Sequence, residues 1–287
     1  MLHFSRILFR QRLSALAAEV GESLKVGDYT ESAAETQKLI DSRPDIQRPM
    51  ENLNRGAVAV RMDGYTYISW RWLGTESADT RYNIYRSLTE MSSYGQKINN
   101  EPLNATNFTD LFIASDDTQY FIVPVVNGEE QWDKVGAVQL WDNNYMDIPI
   151  QKPENNKVNG EEYSYTPGDA SVGDLDGDGE YELVVKWDCA PRDNSQAGLT
   201  GNVYLDAYKL NGKKLWRIDL GKNIRAGAHY TQFLVYDFDM DGKAEVACKT
   251  APGSIDGAGK YVSETSSVEE IRNANDNTVS YVNQNGY

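Results

Sequence analysis

The stretch Asp174-Leu-Asp-Gly-Asp-Gly-Glu-Tyr-Glu182 has its carboxylates and glycines at the offsets of a loop around a hard cation. The glycine at position six permits the sharp turn that such a loop needs. Oxygen donors in a flexible loop suit Ca²⁺ better than Mg²⁺ or Zn²⁺, so we predict a calcium site. The predicted ligands are the acids at positions one, three, five and nine and the backbone carbonyl at seven: Asp174, Asp176, Asp178, Glu182 and Glu180.

The same pattern returns as Asp237-Phe-Asp-Met-Asp-Gly-Lys-Ala-Glu245, so the loop is an internal repeat. An EF-hand needs a bidentate glutamate at position twelve, where this chain has Val185 and Cys248. Each loop leads instead into a β-prone stretch, which predicts a calcium loop between strands. The alternative is an ordinary acidic β-turn at each place. The predicted ligands of the second loop are Asp237, Asp239, Asp241, Glu245 and the backbone carbonyl of Lys243.

Composition bounds the class of protein. The 287 residues suffice for about two domains, and 43 acidic against 28 basic residues give a net charge of −15. This charge argues against nucleic acid or an anionic membrane surface as the main partner. No apolar run reaches the length of a membrane span. Two cysteines, Cys189 and Cys248, allow at most one disulfide and leave the compartment open.

Residues 1–48 differ from the rest of the chain. Apolar residues there are interrupted by arginines, which makes a poor signal peptide. Apolar residues recur at three- and four-residue steps between positions 13 and 24, and a second stretch at 28–40 has a capping threonine. We therefore predict a short helical segment followed by a proline-containing linker.

Residues 49–152 change to short β-prone runs separated by turn residues, which predicts a fibronectin-type β-sandwich. Trp70 and Trp72 alternate with polar neighbours, so both are expected to face the core, with a sugar-binding platform as the alternative. The predicted strands are 56–62, 65–73, 81–88, 118–126, 135–141 and 145–151.

Residues 160–287 predict an incomplete β-propeller. Two strands flank the first acidic loop, and a hairpin closed by Asn211-Gly212 follows, so four antiparallel strands form one blade. A second blade begins near residue 228 and includes the second acidic loop. Since propellers take at least four blades, about two blades are not expected to close a ring. The strands predicted for the first blade are 170–173, 183–187, 202–210 and 214–220.

Four residues are candidates for contact with a ligand. Lys186 and its repeat equivalent Lys249 are either packed lysines or partners of a substrate carboxylate. Asp188 precedes an irregular loop and is the better candidate for contacting hydroxyl groups. His229 is one of only two histidines, and its roles are a structural one or that of a base or metal ligand. Spacing alone indicates a calcium-binding β-protein and assigns no reaction.

Longer stretches of this sequence resemble the rhamnogalacturonan lyases of polysaccharide lyase family eleven, from about residue 49 onwards. The sandwich stretch Tyr67–Trp72 is similar to that family's N-terminal β-domain. The stretches that carry the resemblance are Gly168–Gly179, Lys186–Asp188, Asp193–Gln196, Gly201–Lys209 and Leu215–Gln232.

The resemblance implies a calcium-containing propeller, eight-bladed in the family, that cleaves rhamnogalacturonan I of pectin by β-elimination. It implies that Asp188 contacts sugar and that the chain is a secreted or cell-surface bacterial enzyme, present here as an N-terminal part that is inactive without further blades. Gly168 stands where relatives often have Asn, and the loop after Asp188 also departs from the family's wording. The alternatives are a non-catalytic calcium-dependent carbohydrate-binding or adhesion module and a split enzyme completed by a separate chain.

Overall fold

A computed structural model describes residues 50–88, 94–158, 160–190, 200–227 and 229–262. The helical segment predicted over residues 1–48 lies outside them. Contacts divide the chain into two compact units, of which one contains residues 55–142 and 237–242 and the other contains 52–54, 143–236 and the chain from 243 onwards. The described residues form one short 3-10 helix, Trp132–Lys134, and no α-helix, so the all-β prediction is confirmed for them.

The first unit is a sheet that runs in the order β4-β3-β6-β8-β1-β2-β5, with β7 paired to β6. The β1–β8 pair is parallel, whereas the other neighbouring strands are antiparallel. Alternate residues of β1, β2, β3 and β6 are buried in one apolar core around Ile68, Ile84 and Ile122. Its strands are β1 Ala57–Met62, β2 Tyr65–Ser69, β3 Arg81–Ser87, β4 Gln96–Lys97, β5 Asn107–Asp110, β6 Gln119–Val126, β7 Glu129–Glu130 and β8 Gly136–Trp141.

Two expectations for the predicted sandwich of residues 49–152 are wrong. Trp70 is buried and packs edge-on against Tyr82, but Trp72 is 54% exposed, because β2 ends at Ser69 and the alternation ends with it. Residues 145–151 form no strand, and Pro149 lacks the N–H that a ladder would need. The short polar strand β5 was not predicted, since its sequence Asn-Phe-Thr-Asp lacks an apolar pattern.

The second unit contains the predicted four-stranded antiparallel sheet, in the order β10-β11-β12-β13, with β9 on the outer side of β10. The hairpin between β12 and β13 turns at Asn211-Gly212, where Gly212 has a φ of 83°. Trp187, Val203, Leu220 and the two tyrosines of β10 at 163 and 165 belong to its core. The strands are β9 Asn156–Val158, β10 Glu161–Gly173, β11 Glu182–Ala190, β12 Tyr204–Tyr208 and β13 Lys214–Asp219.

Two further strands, β14 Phe233–Tyr236 and β15 Glu245–Cys248, flank the second acidic loop and pair antiparallel. Both were predicted as the start of a second blade, and residues 263–287 lie outside the described part. Cys189 and Cys248 are free thiols. Among the described residues, no helix has the length and apolar character to cross a membrane.

Candidate metal loops and rim carboxylate

The first acidic loop wraps around the buried carboxylate of Asp174. Its Oδ1 accepts a hydrogen bond from the Gly177 amide at 2.6 Å, and its Oδ2 accepts one from the Gly179 amide at 2.9 Å. Both glycines have φ above 80°, a conformation that costs residues with a Cβ about 1–2 kcal/mol. The loop therefore needs its glycines as well as its aspartates.

Three carboxylates meet at this loop. Asp174, Asp176 and Glu182 each offer one oxygen, and the three oxygens lie within 4.8 Å of one another. Glu182 is 1% exposed, and its Oε2 accepts a hydrogen bond from the Leu175 amide at 2.7 Å. Burial raises the pKa of Glu182, and the nearby Asp176 carboxylate raises it further. A cation between these oxygens would relieve that repulsion, so the donor set fits a hard metal ion.

One positive charge already lies among these carboxylates. The Lys209 ammonium is 2.6 Å from Asp176 Oδ2, 2.7 Å from Asp178 Oδ2 and 3.4 Å from Glu182 Oε1. Hydrogen bonds to Asp176 and Asp178 raise the pKa of Lys209, and the bond from Lys209 lowers the pKa of Asp178. Sequence reasoning did not single out Lys209, although the pairing of Leu183 with Tyr208 puts it beside Glu182.

The remaining ligands predicted for the first loop are Asp178 and the carbonyl of Glu180. Asp178 is exposed, and its Oδ1 accepts a hydrogen bond from the Glu180 amide at 2.9 Å. Asp178 faces the same ammonium as Asp176 but does not belong to the group of three close carboxylates. Both ligands stay predictions.

The second loop repeats this arrangement. Asp237 is buried, and its Oδ2 accepts a hydrogen bond from the Gly242 amide at 3.0 Å, as Asp174 does from Gly179. Asp237, Asp239 and Glu245 offer three oxygens within 4.8 Å of one another. The other predicted ligands, Asp241 and the carbonyl of Lys243, are not part of that group and stay predictions.

One residue of the second loop departs from the first. Met240 has a φ of 64°, at the place where Gly177 has a φ of 81°. A side chain with a Cβ is strained in this region. The second loop therefore keeps the geometry of the first at a conformational cost.

A second group of charged side chains lies at a bulge in β10. In the pairing of β10 with β11, Pro167 lies opposite Trp187 and Ala170 lies opposite Val185. Two residues of β10 therefore lie opposite one residue of β11, Lys186. Such a bulge redirects side chains. Here it brings Asp169 Oδ2 to 2.6 Å from the ammonium of Lys186, which is only 1% exposed.

Asp188 completes this group, with its Oδ1 3.6 Å from the Lys186 ammonium. That oxygen is buried and accepts no hydrogen bond within the described part of the chain. Burial raises the pKa of Asp188, while the charge of Lys186 lowers it. A Cβ at Gly168 would overlap the Asp188 carboxylate, so the glycine leaves the space in which this carboxylate lies. Asp169 was missed as a site residue, since only the bulge turns it towards Lys186.

The other two candidates have different surroundings. His229 and Lys249 are exposed, and Lys249 follows β15, whereas Lys186 lies within β11. The repeat equivalence of Lys249 and Lys186 therefore does not give them the same environment.

A buried network supports β11 from the core side. Asp206 is fully buried, and its Oδ2 accepts hydrogen bonds from Trp187 Nε1 at 2.9 Å and from the Tyr208 hydroxyl at 2.7 Å. Arg217 donates to both oxygens, at 2.6 and 2.7 Å. Burial and the bond to Asp206 raise the pKa of Tyr208 to about 12. Trp187 stands between Lys186 and Asp188, so this network holds the strand that carries both.

The fold and the site define an all-β protein in which acidic loops between neighbouring strands offer carboxylate oxygens to a metal ion. Comparison with protein families narrows this class. Residues 48–141 match the family described as "Rhamnogalacturonan I lyases beta-sheet domain", and residues 145–280 match "Rhamnogalacturonan lyase family 11, C-terminal domain". The chain belongs to rhamnogalacturonan lyase family 11.

Individual relatives agree with this assignment. The chain is 54% identical over 217 residues to the rhamnogalacturonan endolyase YesW and 46% identical over 221 residues to the exolyase YesX, both of Bacillus subtilis strain 168. These matches cover 75% and 76% of this chain but only 34% and 35% of the relatives. The chain thus spans about a third of the length of the curated relatives it matches.

Solved structures give the same result. The match to the crystal structure of YesW has a TM-score of 0.70 at 50% sequence identity. It covers 84% of this chain and 38% of the YesW chain. The Bacillus licheniformis rhamnogalacturonan lyase has a TM-score of 0.68 at 46% identity, with coverages of 83% and 38%.

Proposed function

We propose that this chain is part of a lyase that cleaves rhamnogalacturonan I by β-elimination and leaves unsaturated galacturonate ends. The observation that carries the proposal is that two family models of rhamnogalacturonan lyases match consecutive parts of the chain. Relatives named as an endolyase and an exolyase support it, at 54% and 46% identity. A secreted or cell-surface location follows from a polymer substrate.

The finer architecture belongs to the same proposal. The sheet of the first unit, with its parallel β1–β8 pair, supports a fibronectin-type sandwich over residues 49–152. The four-stranded meander β10–β13 and the pair β14–β15 support two blades of a propeller over residues 160–287. Further blades supplied by the rest of the whole protein would complete the ring.

The acidic loops are proposed to bind Ca²⁺ through Asp174, Asp176 and Glu182 in the first loop and Asp237, Asp239 and Glu245 in the second. Bound calcium would hold each loop closed and lower its charge. Calorimetric titration of the chain should detect calcium binding, which the combined change Asp176→Ala and Asp239→Ala should abolish. Binding that survives this change would mean that the loops are ordinary turns.

Asp188 is the proposed sugar contact. The Asp188 side chain is 32% exposed, so its carboxylate can accept a hydrogen bond from a hydroxyl group, while its buried Oδ1 lies 3.6 Å from the Lys186 ammonium. The ammonium of Lys186 is itself 1% exposed and held by Asp169, so Lys186 positions Asp188 rather than reaching a substrate. The exposed His229 and Lys249 remain the candidates for a catalytic role.

β-Elimination sets what the complete site must do. A base removes the C5 proton of the uronate, electrons move to form the C4=C5 bond, and the C4–O bond to the leaving sugar breaks. A positive charge beside the uronate carboxylate acidifies the C5 proton. Within this scheme Asp188 binds and orients the polymer, which raises the rate by positioning.

The decisive experiment measures new ultraviolet absorbance from the double bond with the whole protein that carries this chain. Rhamnogalacturonan I is the substrate, homogalacturonan is the control, and Asp188→Ala is compared with Asp147→Ala, a change at an exposed carboxylate. We expect Asp188→Ala to slow the reaction at least about tenfold, a loss of roughly 1.4 kcal/mol of transition-state stabilisation. Saturated products would indicate hydrolysis, and binding without cleavage would favour a carbohydrate-binding module.

A further inference from the structure

The Lys209 ammonium lies where a metal ion bound by the first loop would compete with it. Asp176 and Glu182 belong to the three carboxylates that converge within 4.8 Å, and both also lie within 3.4 Å of Lys209 Nζ. A carboxylate that coordinates a metal directly cannot keep its full interaction with the ammonium. The two positive charges therefore draw on the same oxygens.

The hairpin fixes the backbone of Lys209, whereas its side chain has a route to solvent. Its amide donates to the Lys213 carbonyl at 2.9 Å, and its carbonyl accepts from the Gly212 amide at 2.8 Å, so the hairpin holds the main chain. The side chain is 23% exposed, and its ammonium is carried by a flexible four-carbon stem. It can withdraw to solvent without any change of the sheet.

We propose that Lys209 is a built-in counter-ion of the first loop that sets its calcium affinity. Without metal, the ammonium offsets the repulsion between Asp176, Asp178 and Glu182 and keeps the loop folded. When Ca²⁺ binds, the ammonium leaves these oxygens, and the cost of that displacement weakens binding. This inference rests on the proposed calcium site.

The test compares Lys209→Met with Lys213→Met, which removes an equal charge from an exposed lysine of the same hairpin. Both are made in the 287-residue chain with Asp239→Asn and Glu245→Gln, which weaken the second loop. Calorimetric titration with Ca²⁺ gives the Kd, and melting in chelator and in calcium gives a second readout. Each variant is purified in calcium, so that a loop that opens without metal stays folded during purification. Calcium is then removed by dialysis.

Lys209→Met should lower the calcium Kd at least about tenfold and lower the melting temperature in chelator by several degrees. Lys213→Met should change neither by a comparable amount. Lys209→Arg, which keeps the charge, should bind calcium as the parent does. Tight binding by Lys209→Met alone, with a parent too weak to measure, would also support the inference.

Two results would overturn the inference. Calcium binding by the parent chain with an unchanged or higher Kd for Lys209→Met would show that Lys209 does not compete, and the metal site would stand. No calcium binding by the parent or by Lys209→Met would remove the proposed metal site and this role together.

Discussion

Replacing Asp206 by alanine is expected to destabilise the second unit strongly. The Asp206 side chain is fully buried and accepts from Trp187, Tyr208 and Arg217. Its removal leaves the guanidinium of Arg217, 29% exposed, without its partner. The cost therefore comes from the groups left behind.

The magnitude follows from those groups. Breaking a buried ion pair on one side costs about 3–5 kcal/mol. An unsatisfied Trp187 N–H adds about 1–3 kcal/mol, while Tyr208 keeps contacts with Gln151 at 3.2 and 3.3 Å. Partial access of water to Arg217 reduces the first figure, so we expect a loss of about 4 kcal/mol. Domains have only about 5–15 kcal/mol of stability, so the variant should lie close to unfolding.

Urea unfolding followed by tryptophan fluorescence measures this loss. Asp147→Ala is the control, because Asp147 is exposed in the same unit. A double-mutant cycle of Asp206→Ala and Arg217→Met isolates the pair, and we expect the two changes to be strongly non-additive. A loss below about 1 kcal/mol for Asp206→Ala would refute the reasoning from burial.

Three further predictions concern the second acidic loop and the Asp188 carboxylate. Met240→Gly should stabilise the chain by about 1 kcal/mol in thermal melts, because Met240 has a φ of 64°; no gain would mean that the conformation is unstrained. Gly168→Ala should displace the Asp188 carboxylate and weaken polymer binding, whereas unchanged binding in an affinity gel would argue against Asp188 as the sugar contact. Burial raises the pKa of Asp188, so the folded protein keeps the proton of this carboxyl group to higher pH than the unfolded chain, in which an Asp has a pKa of ~3.9. The fold therefore loses stability as pH rises from ~4 through the raised pKa of Asp188, and this group causes no loss below ~pH 4. Asp188→Asn should lack this loss of stability when urea unfolding is measured at about pH 4 and at about pH 7. Equal pH profiles for the variant and the parent would contradict the reasoning.

Features that depend on neighbours along the chain could be predicted from the sequence. The offsets from Asp174 to Glu182 predict the loop, because turn glycines and carboxylates act within nine consecutive residues. Asn211-Gly212 predicts the hairpin for the same reason, since both residues lie in the short turn between β12 and β13. Strand positions followed from period-two alternation, with errors at Trp72 and 145–151, where a strand ended early or found no partner.

Which charged side chains meet depends on how distant strands pack. Lys209 reaches the first loop because β12 lies beside β11, and no local pattern connects it with Asp176. Asp169 meets Lys186 because a bulge shifts the register of β10, and alternation alone does not reveal a bulge. Ion pairs between strands depend on register and burial, which arise when distant segments pack. The sequence therefore determined the loops and most strands, and the packing determined the partners of their charged side chains.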